Sequence, residues 1–201
     1  MKFIIHRCNQ ISKLKNTPLN YGVEIDIRTY ADKLIIDHEP FVEGDLLEDW
    51  LNYYNHSQLI LNVKEEGLEA KLIELMQKFN IINYFFLDLS FPSLINNAMA
   101  GHKKIAIRFS EYEHVESIAL LDGLIEWIWI DSFKTSYEHL KNLTMLNLKS
   151  FKLCLVSPEL QGRNDEAEVR NLIANVRKLN LNLDAICTKN PSVWINNGFT
   201  E

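Results

Sequence analysis

Two acidic residues spaced by one, Glu24 and Asp26 in the run Gly22-Val23-Glu24-Ile25-Asp26-Ile27-Arg28, are where chemistry first becomes legible in this chain. Side chains alternate along a strand, so the two carboxylates share one face while Val23, Ile25 and Ile27 share the other. On an edge strand such acids would simply meet water. In a central parallel strand both faces are normally apolar, and an unpaired buried carboxylate costs several kcal/mol, so a positive partner must sit beside them. His6-Arg7 follows the apolar Phe3-Ile4-Ile5, and Asp37-His38-Glu39-Pro40 follows Leu34-Ile35-Ile36. Imidazole exchanges protons near neutral pH, and a guanidinium pairs with an oxyanion through two parallel hydrogen bonds. One histidine at a strand end is most often a hydrogen-bonded structural residue. Two of them flanking paired acids point to acid–base work on a charged substrate.

These polar runs close stretches that read as strands. Such runs occur at Phe3–His6, Gly22–Ile27, Leu59–Lys64, Tyr84–Leu89, Lys104–Arg108, Trp127–Asp131, Lys152–Val156 and Asp184–Thr188, with an extra extended piece at Leu34–Asp37. Between them, apolar residues fall at helical spacing over Leu46–Tyr54, Glu69–Phe79, Ser93–Met99, Val115–Leu121, Ser136–Leu143 and Glu166–Leu179, with a terminal turn after Pro191. The crossover from Asn9 to Asn20 is too poor in apolar pattern for a full helix. Strands alternating with helices predict an α/β fold, a compact (β/α)8 barrel formed by one domain over residues 1–201 without an insertion domain; an open doubly wound sheet is the alternative. In a barrel the polar runs would gather at the carboxyl ends of the strands, where active sites of this fold lie.

Composition narrows the partners. The 201 residues are 47% hydrophobic and 24% charged, with seven glycines and five prolines, which suits a soluble globule. A net charge of −6 with scattered lysines and arginines offers no basic stripe for nucleic acid. The N-terminus turns polar after three apolar residues, so neither a signal peptide nor a membrane span is expected, and the expected location is the cytoplasm. No basic amphipathic helix or exposed aromatic cluster is legible that would dock on a bilayer. Cys8, Cys154 and Cys187 are far apart and odd in number, which argues for small buried residues rather than a disulfide or zinc framework. Trp127 and Trp129 share a strand face and are read as barrel packing. Oligomeric state is left open.

The polar runs together resemble the glycerophosphodiester phosphodiesterase family and, more broadly, the barrel superfamily that includes phosphatidylinositol-specific phospholipases C. The resemblance rests on His6-Arg7, Asn16-Thr17, Glu24-Ile25-Asp26, His38-Glu39, Asn62-Val63-Lys64 and the closing Asp184-Ala185-Ile186-Cys187-Thr188-Lys189-Asn190-Pro191. It spans the whole predicted barrel. Departures are Cys8 where the family has Gly after His-Arg, Lys15 before Asn16-Thr17, and Asn62 in place of a third acidic metal ligand; the segment many members insert after strand two is absent.

The resemblance implies a divalent cation, Mg²⁺ or Ca²⁺, on Glu24, Asp26 and Asn62, with Asp88 on the neighbouring strand a candidate to offset the lost acid. An amide oxygen remains an acceptable ligand for such a cation. It implies His6 and His38 as general acid and base, in an order left open, with Arg7 and Lys64 meeting the phosphate. Arg108, Asp131 and Glu159 interrupt apolar strand ends and, by position, line the mouth where the substrate's alcohol is selected. The expected substrate is a small glycerophosphodiester or related phosphodiester. The reaction is hydrolysis, with two alternatives: a phospholipase-C-like lyase forming a cyclic phosphate, or a barrel that binds a phosphate or sugar phosphate without turnover.

Overall fold

β-branched and aromatic residues fill the strands, and the amphipathic runs between them become helices. The computed structural model describes residues 1–146 and 148–200. In chain order its elements are β1 (Lys2–Ile5), α1 (Ile11–Asn16), β2 (Gly22–Tyr30), β3 (Lys33–Ile36), β4 (Asp45–Leu46), α2 (Leu47–Leu51), β5 (Leu59–Val63), α3 (Glu69–Lys78), β6 (Tyr84–Leu87), α4 (Phe91–Met99), β7 (Ala106–Phe109), α5 (Val115–Ala119), β8 (Trp127–Ile130), β9 (Lys152–Val156), α6 (Glu166–Lys178), β10 (Ala185–Thr188) and α7 (Pro191–Asn196). Helix α6 shows the local logic: Asp165 caps it by accepting the Ala167 N–H at 2.8 Å, Glu166 and Glu168 fill its first turn, and Arg177 and Lys178 its last.

Among the described residues eight strands pair in parallel. β1 lies between β2 and β10; β10 pairs β9, β9 pairs β8, and β8 pairs β7, while on the other side β2 pairs β5 and β5 pairs β6. β6 meets the β7 side through a single parallel bridge, Phe86 to Ile105, in which the Phe86 N–H donates to Lys104 O at 2.9 Å. This is the expected α/β arrangement of parallel strands with helical crossovers. The extended piece after β2 is an antiparallel β3 that folds back on the upper half of β2, followed by the two-residue β4. Among the described residues no helix is long and apolar enough to cross a membrane.

Alternation sorts the side chains into two cores. Val23, Ile25, Ile27, Leu59, Leu61 and Val63 point outward into the layer between strands and helices. The inward set includes Ile4, Ile60, Phe85, Leu87, Trp127, Trp129, Cys154, Val156 and Cys187, and Phe85 stacks on Trp127 with ring centroids 4.4 Å apart. The tryptophans are packing residues, as expected, and all three cysteines are buried free thiols. Glu24 and Asp26 alternate with the outward residues of β2 and so face inward. Gly22 permits the close approach of three strands there: a Cβ on it would lie 2.9 Å from Gln58 O and would also strike Ile4 Cδ1.

One expected α-helix is different. The segment expected at Ser136–Leu143 forms a 3₁₀ helix over Glu138–Met145, entered through Tyr137 at φ 31°. Its buried apolar residues, Leu140 and Leu143, are spaced by three, which a three-residue turn puts on one side. His139 in this segment binds Asp131 O at 3.0 Å and holds it against the end of β8.

Candidate active site

The site begins where β1 stops. Its ladder with β2 ends at Ile5–Val23, after which Arg7 takes a left-handed conformation, φ 49°, and turns the chain over the carboxylates. Backbone groups fix that turn. Cys8 N–H donates to Glu24 O at 2.7 Å, Arg7 N–H donates to Glu24 Oε2 at 2.6 Å, and the Trp50 indole N–H donates to Cys8 O at 3.1 Å. Lys13 on α1 donates to the His6 and Arg7 carbonyls at 2.8 and 3.1 Å. Asn9 continues the interrupted ladder with its side-chain amide: it accepts the Asp26 N–H at 3.1 Å and donates to Asp26 Oδ2 at 2.9 Å.

Glu24 and Asp26 are wholly buried. Asn62, paired with Asp26 across β5, donates from Nδ2 to Glu24 Oε1 at 2.9 Å. Burial, then the Asp26 charge, pushes the Glu24 carboxyl up to about 7, against the opposing pull of the Arg7 N–H, Asn62 and Lys64. Lys64 lies 3.4 Å from Asp26 Oδ1, and Arg7 Nε lies 3.8 Å from Oδ2. His6 Nε2 is 3.9 Å from Glu24 Oε2. Burial, then Arg7 and Lys189, push the imidazole down to about 3, so His6 is neutral at pH 7 and this approach is no ion pair there.

From Lys64 the charges alternate across the mouth. Lys64 also stands 3.5 Å from Asp88 Oδ2; Asp88 Oδ1 meets Arg108 Nη2 at 2.5 Å; and Arg108 Nη1 pairs with Asp131. Asp131 further accepts from Gln161 Nε2 at 2.8 and 2.9 Å and from the Ser132 N–H at 2.9 Å. Burial raises its carboxyl above the ordinary range, although Arg108 works against that rise.

His6, Arg7, Glu24, Asp26, Asn62 and Lys64 are thus in one network, and Asp88, Arg108 and Asp131 extend it. Two predicted residues have other partners. His38 emerges just after Asp37, whose N–H donates to Asp26 O at 3.1 Å; its Nδ1 bonds Glu39 Oε1 at 2.7 Å, and its carbonyl accepts from Arg28 at 3.1 and 3.2 Å. Glu159 is fastened by the Ser157 and Thr188 hydroxyls and by the Lys189 N–H at 3.0 Å, which makes it a latch between the loops after β9 and β10. Sequence reasoning missed Asn9, Arg28, Gln161 and Lys189. Asn9, three residues after His6, was the most findable, since a short amide beside a strand end commonly bonds neighbouring backbone. Tyr112 and Phe133, in loops after β7 and β8, are exposed with ring centroids 6.0 Å apart.

Three buried polar atoms of this network have no hydrogen-bond partner among the described residues: His6 Nδ1, Asp26 Oδ1 and Asn62 Oδ1. Among the described residues no three His, Cys, Asp or Glu side chains cluster as a metal centre. Counting the amide, Glu24, Asp26 and Asn62 make an oxygen-only donor set, which fits a hard cation such as Mg²⁺ or Ca²⁺ and not a thiolate- or imidazole-seeking metal.

No protein-family model matches the sequence, and no curated protein matches it. Solved structures do. A glycerophosphodiester phosphodiesterase from Agrobacterium tumefaciens str. C58 aligns with TM-score 0.64 and 14% identity over 98% of this chain and 99% of that one. A glycerophosphoryl diester phosphodiesterase from Parabacteroides distasonis ATCC 8503 gives 0.66 and 12%, over 94% and 82%. The chain has their fold. A mutant tryptophan synthase α-subunit from Pyrococcus furiosus also aligns, with TM-score 0.59 and 11% identity over 98% and 90%. Two unlike enzymes on one scaffold mean that the activity must be argued from the site.

Proposed function

We propose that this chain is a phosphodiesterase that hydrolyses a small phosphodiester at the mouth of the barrel. The observation that carries the reading is the buried Glu24–Asp26 pair with Asn62, overhung by neutral His6 and flanked by Arg7 and Lys64, with three buried polar atoms lacking partners among the described residues. The likeness in fold to phosphodiesterases supports it, as does the ordered set of motifs from His6-Arg7 to Asp184–Pro191.

Arg7 and Lys64 bind the phosphate oxygens, Arg7 through its planar fork and Lys64 as a point charge. His6, neutral at pH 7, accepts the proton of the attacking water as its oxygen bonds to phosphorus. The bond from phosphorus to one alcohol breaks, and His38, oriented by Glu39, protonates the departing alkoxide. Glu24, Asp26 and Asn62 would hold a divalent cation, which when bound supplies neutralisation of a non-bridging phosphate oxygen. The small substrate is a glycerophosphodiester or a close relative. A substrate hydroxyl beside the phosphate attacking in place of water would give a cyclic phosphate, so the product tells hydrolase from lyase.

A second reading, a phosphate-binding barrel without turnover, is favoured by Asn62 standing where a third carboxylate would strengthen the cation site. His6→Ala and His38→Ala separate the two. Under the enzymatic reading each lowers kcat by about 10²-fold or more and leaves KM within a small factor, because proton transfer acts in the transition state. Phosphorus NMR of glycerophosphodiester digests with Mg²⁺ or Ca²⁺ reads the rate and the product together. Binding without turnover, unaltered in both histidine variants, would establish the binding protein instead.

A further inference from the structure

β5 ends before β2 does, and the residues beyond it finish the pairing with side chains. Ile27 is the last β2 residue in register with β5, opposite Val63, and the Lys64 N–H then donates to Ile27 O at 3.0 Å. Glu65 takes the next place: its Oε2 accepts the Thr29 N–H at 3.1 Å and the Thr29 hydroxyl. Its Oε1 lies 3.8 Å from Arg28 Nη1. Arg28 alternates with Ile27 and Thr29, which puts it on the face of β2 that carries Glu24 and Asp26. From there its other edge, Nε and Nη2, converges on His38 O at 3.2 and 3.1 Å. One guanidinium thus ties the loop that follows β5, where Lys64 stands, to the loop that follows β3.

His38 sits in a turn whose other ties are local. The Asp37 N–H donates to Asp26 O at 3.1 Å, and Asp37 Oδ1 accepts the Glu39 N–H at 2.7 Å. Glu39 bonds the imidazole but is its exposed chain neighbour, so it can orient the ring on the backbone and cannot fix the backbone on the barrel. Past it the chain leaves the surface, with Phe41 at φ 62° and its ring exposed. The fork of Arg28 is therefore what fixes the His38 peptide from the barrel side, and two donors converging on one oxygen set direction as well as distance. Both edges of Arg28 are turned to protein groups. We infer that Arg28, held by Glu65, is a positioning residue that sets where His38 stands and makes that placement depend on the loop carrying Lys64. The inference rests on the phosphodiesterase reading and adds to it the means by which a histidine on a partly exposed loop is held for proton transfer.

The experiment compares the wild type with His38→Ala, Arg28→Ala, Glu65→Gln and the double variant Arg28→Ala/His38→Ala. The substrates are the glycerophosphoryl methyl and 4-nitrophenyl diesters, with Mg²⁺ or Ca²⁺ present. On the methyl diester Arg28→Ala lowers kcat by about tenfold or more and leaves KM within a small factor, because a displaced catalytic group costs rate rather than binding. Glu65→Gln, whose carbonyl can still accept from Thr29, gives a smaller loss in the same direction and covers the case in which Arg28→Ala fails to fold. The double variant is no slower than His38→Ala, since nothing is left to position. Across the two substrates Arg28→Ala follows His38→Ala: a nitrophenolate departs with little need of a proton, so both losses shrink there. The inference is overturned by a loss in Arg28→Ala that multiplies with that of His38→Ala, by one that persists where the His38→Ala loss has shrunk, or by wild-type kcat in both Arg28→Ala and Glu65→Gln. Hydrolysis untouched by His38→Ala removes the inference together with the histidine it serves. Proton NMR gives a readout without turnover, the His38 imidazole C–H signal being the one missing from His38→Ala. In Arg28→Ala that signal shifts and narrows as the loop is released. Such a change, with no diester hydrolysed by the wild type, sustains the positioning and defeats the phosphodiesterase reading; an unmoved signal in an active enzyme that needs His38 defeats the positioning alone.

Discussion

Glu24→Gln should stabilise this protein in cation-free solution, although it removes a charged residue from the heart of the site. The folded chain holds the Glu24 carboxyl up to about 7, against 4.5 for an ordinary glutamate, first because it is buried and second because Asp26 is beside it. Between those values the folded state keeps a proton that the unfolded state has released, so stability falls as pH rises through the window, and above about 7 the whole penalty is present. Moving a carboxyl from 4.5 to about 7 corresponds to about 3 kcal/mol, at about 1.4 kcal/mol per tenfold change in proton affinity. Glutamine keeps the shape and removes the penalty. Its carbonyl can still accept the Arg7 N–H, and its amide can face Asn62, whose partnerless Oδ1 needs only an amide flip to accept from it. Melting curves with a chelator present, recorded from about pH 4 to 8, read the difference directly, because every other titrating group is common to both proteins. The variant and the parent should melt together at about pH 4, and the variant should melt about 6–12 °C higher at about pH 8. A variant that is no more stable than the parent at pH 8, with a difference that does not change with pH, refutes the claim that Glu24 is a destabilised buried acid.

Two further outcomes follow from the same geometry. Mg²⁺ or Ca²⁺ should raise the melting temperature of the wild type and not of Glu24→Ala or Asp26→Ala, since a ligand that binds only the folded state stabilises it; equal melting of all three with and without cation would remove the cation site. Trp127→Ala, which deletes a ring stacked on Phe85 in the barrel interior, should cost about 3–5 kcal/mol in urea unfolding, and a loss below about 1 kcal/mol would mean that the interior is not close-packed there.

The strands were legible because their residues are β-branched or aromatic and their spacing is regular; the facing of β2 was legible because two acids and three aliphatics cannot share one side. The boundaries were less so. β2 runs to Tyr30, three residues past its expected end at Ile27, because β3 supplies it with a partner that no local pattern announces. The segment at 138–145 became a 3₁₀ helix because tertiary bonds from His139 decide its path. In the site, residues at strand ends were found from their types, but partnership was not. Nothing in the sequence says that Asn9 and Gln161, rather than other amides, hold Asp26 and Asp131, or that Glu159 is consumed by Ser157, Thr188 and Lys189. Those pairings depend on loops whose conformation comes from the whole ring.

The length of β2 explains why the site lies where it does. Its lower half is clasped by β1 and β5, but β1 ends at Ile5, so the upper half must find a second partner and takes β3. At the hand-over the ladder is open, and the His6–Asn9 turn, with one side-chain amide standing in for backbone, closes it together with the Asp37 N–H. Inward carboxylates at that gap are out of water yet not walled in by apolar strands. Their balance is nearly neutral: Glu24, Asp26, Asp88 and Asp131 face Arg7, Lys64 and Arg108, and the proton that Glu24 keeps up to about 7 makes up the difference. A cation arriving at Glu24 and Asp26 would therefore displace that proton rather than meet a ready pair of anions. An amide at Asn62 fits the same balance, because a carboxylate there would add one more buried negative charge beside Glu24 and Asp26.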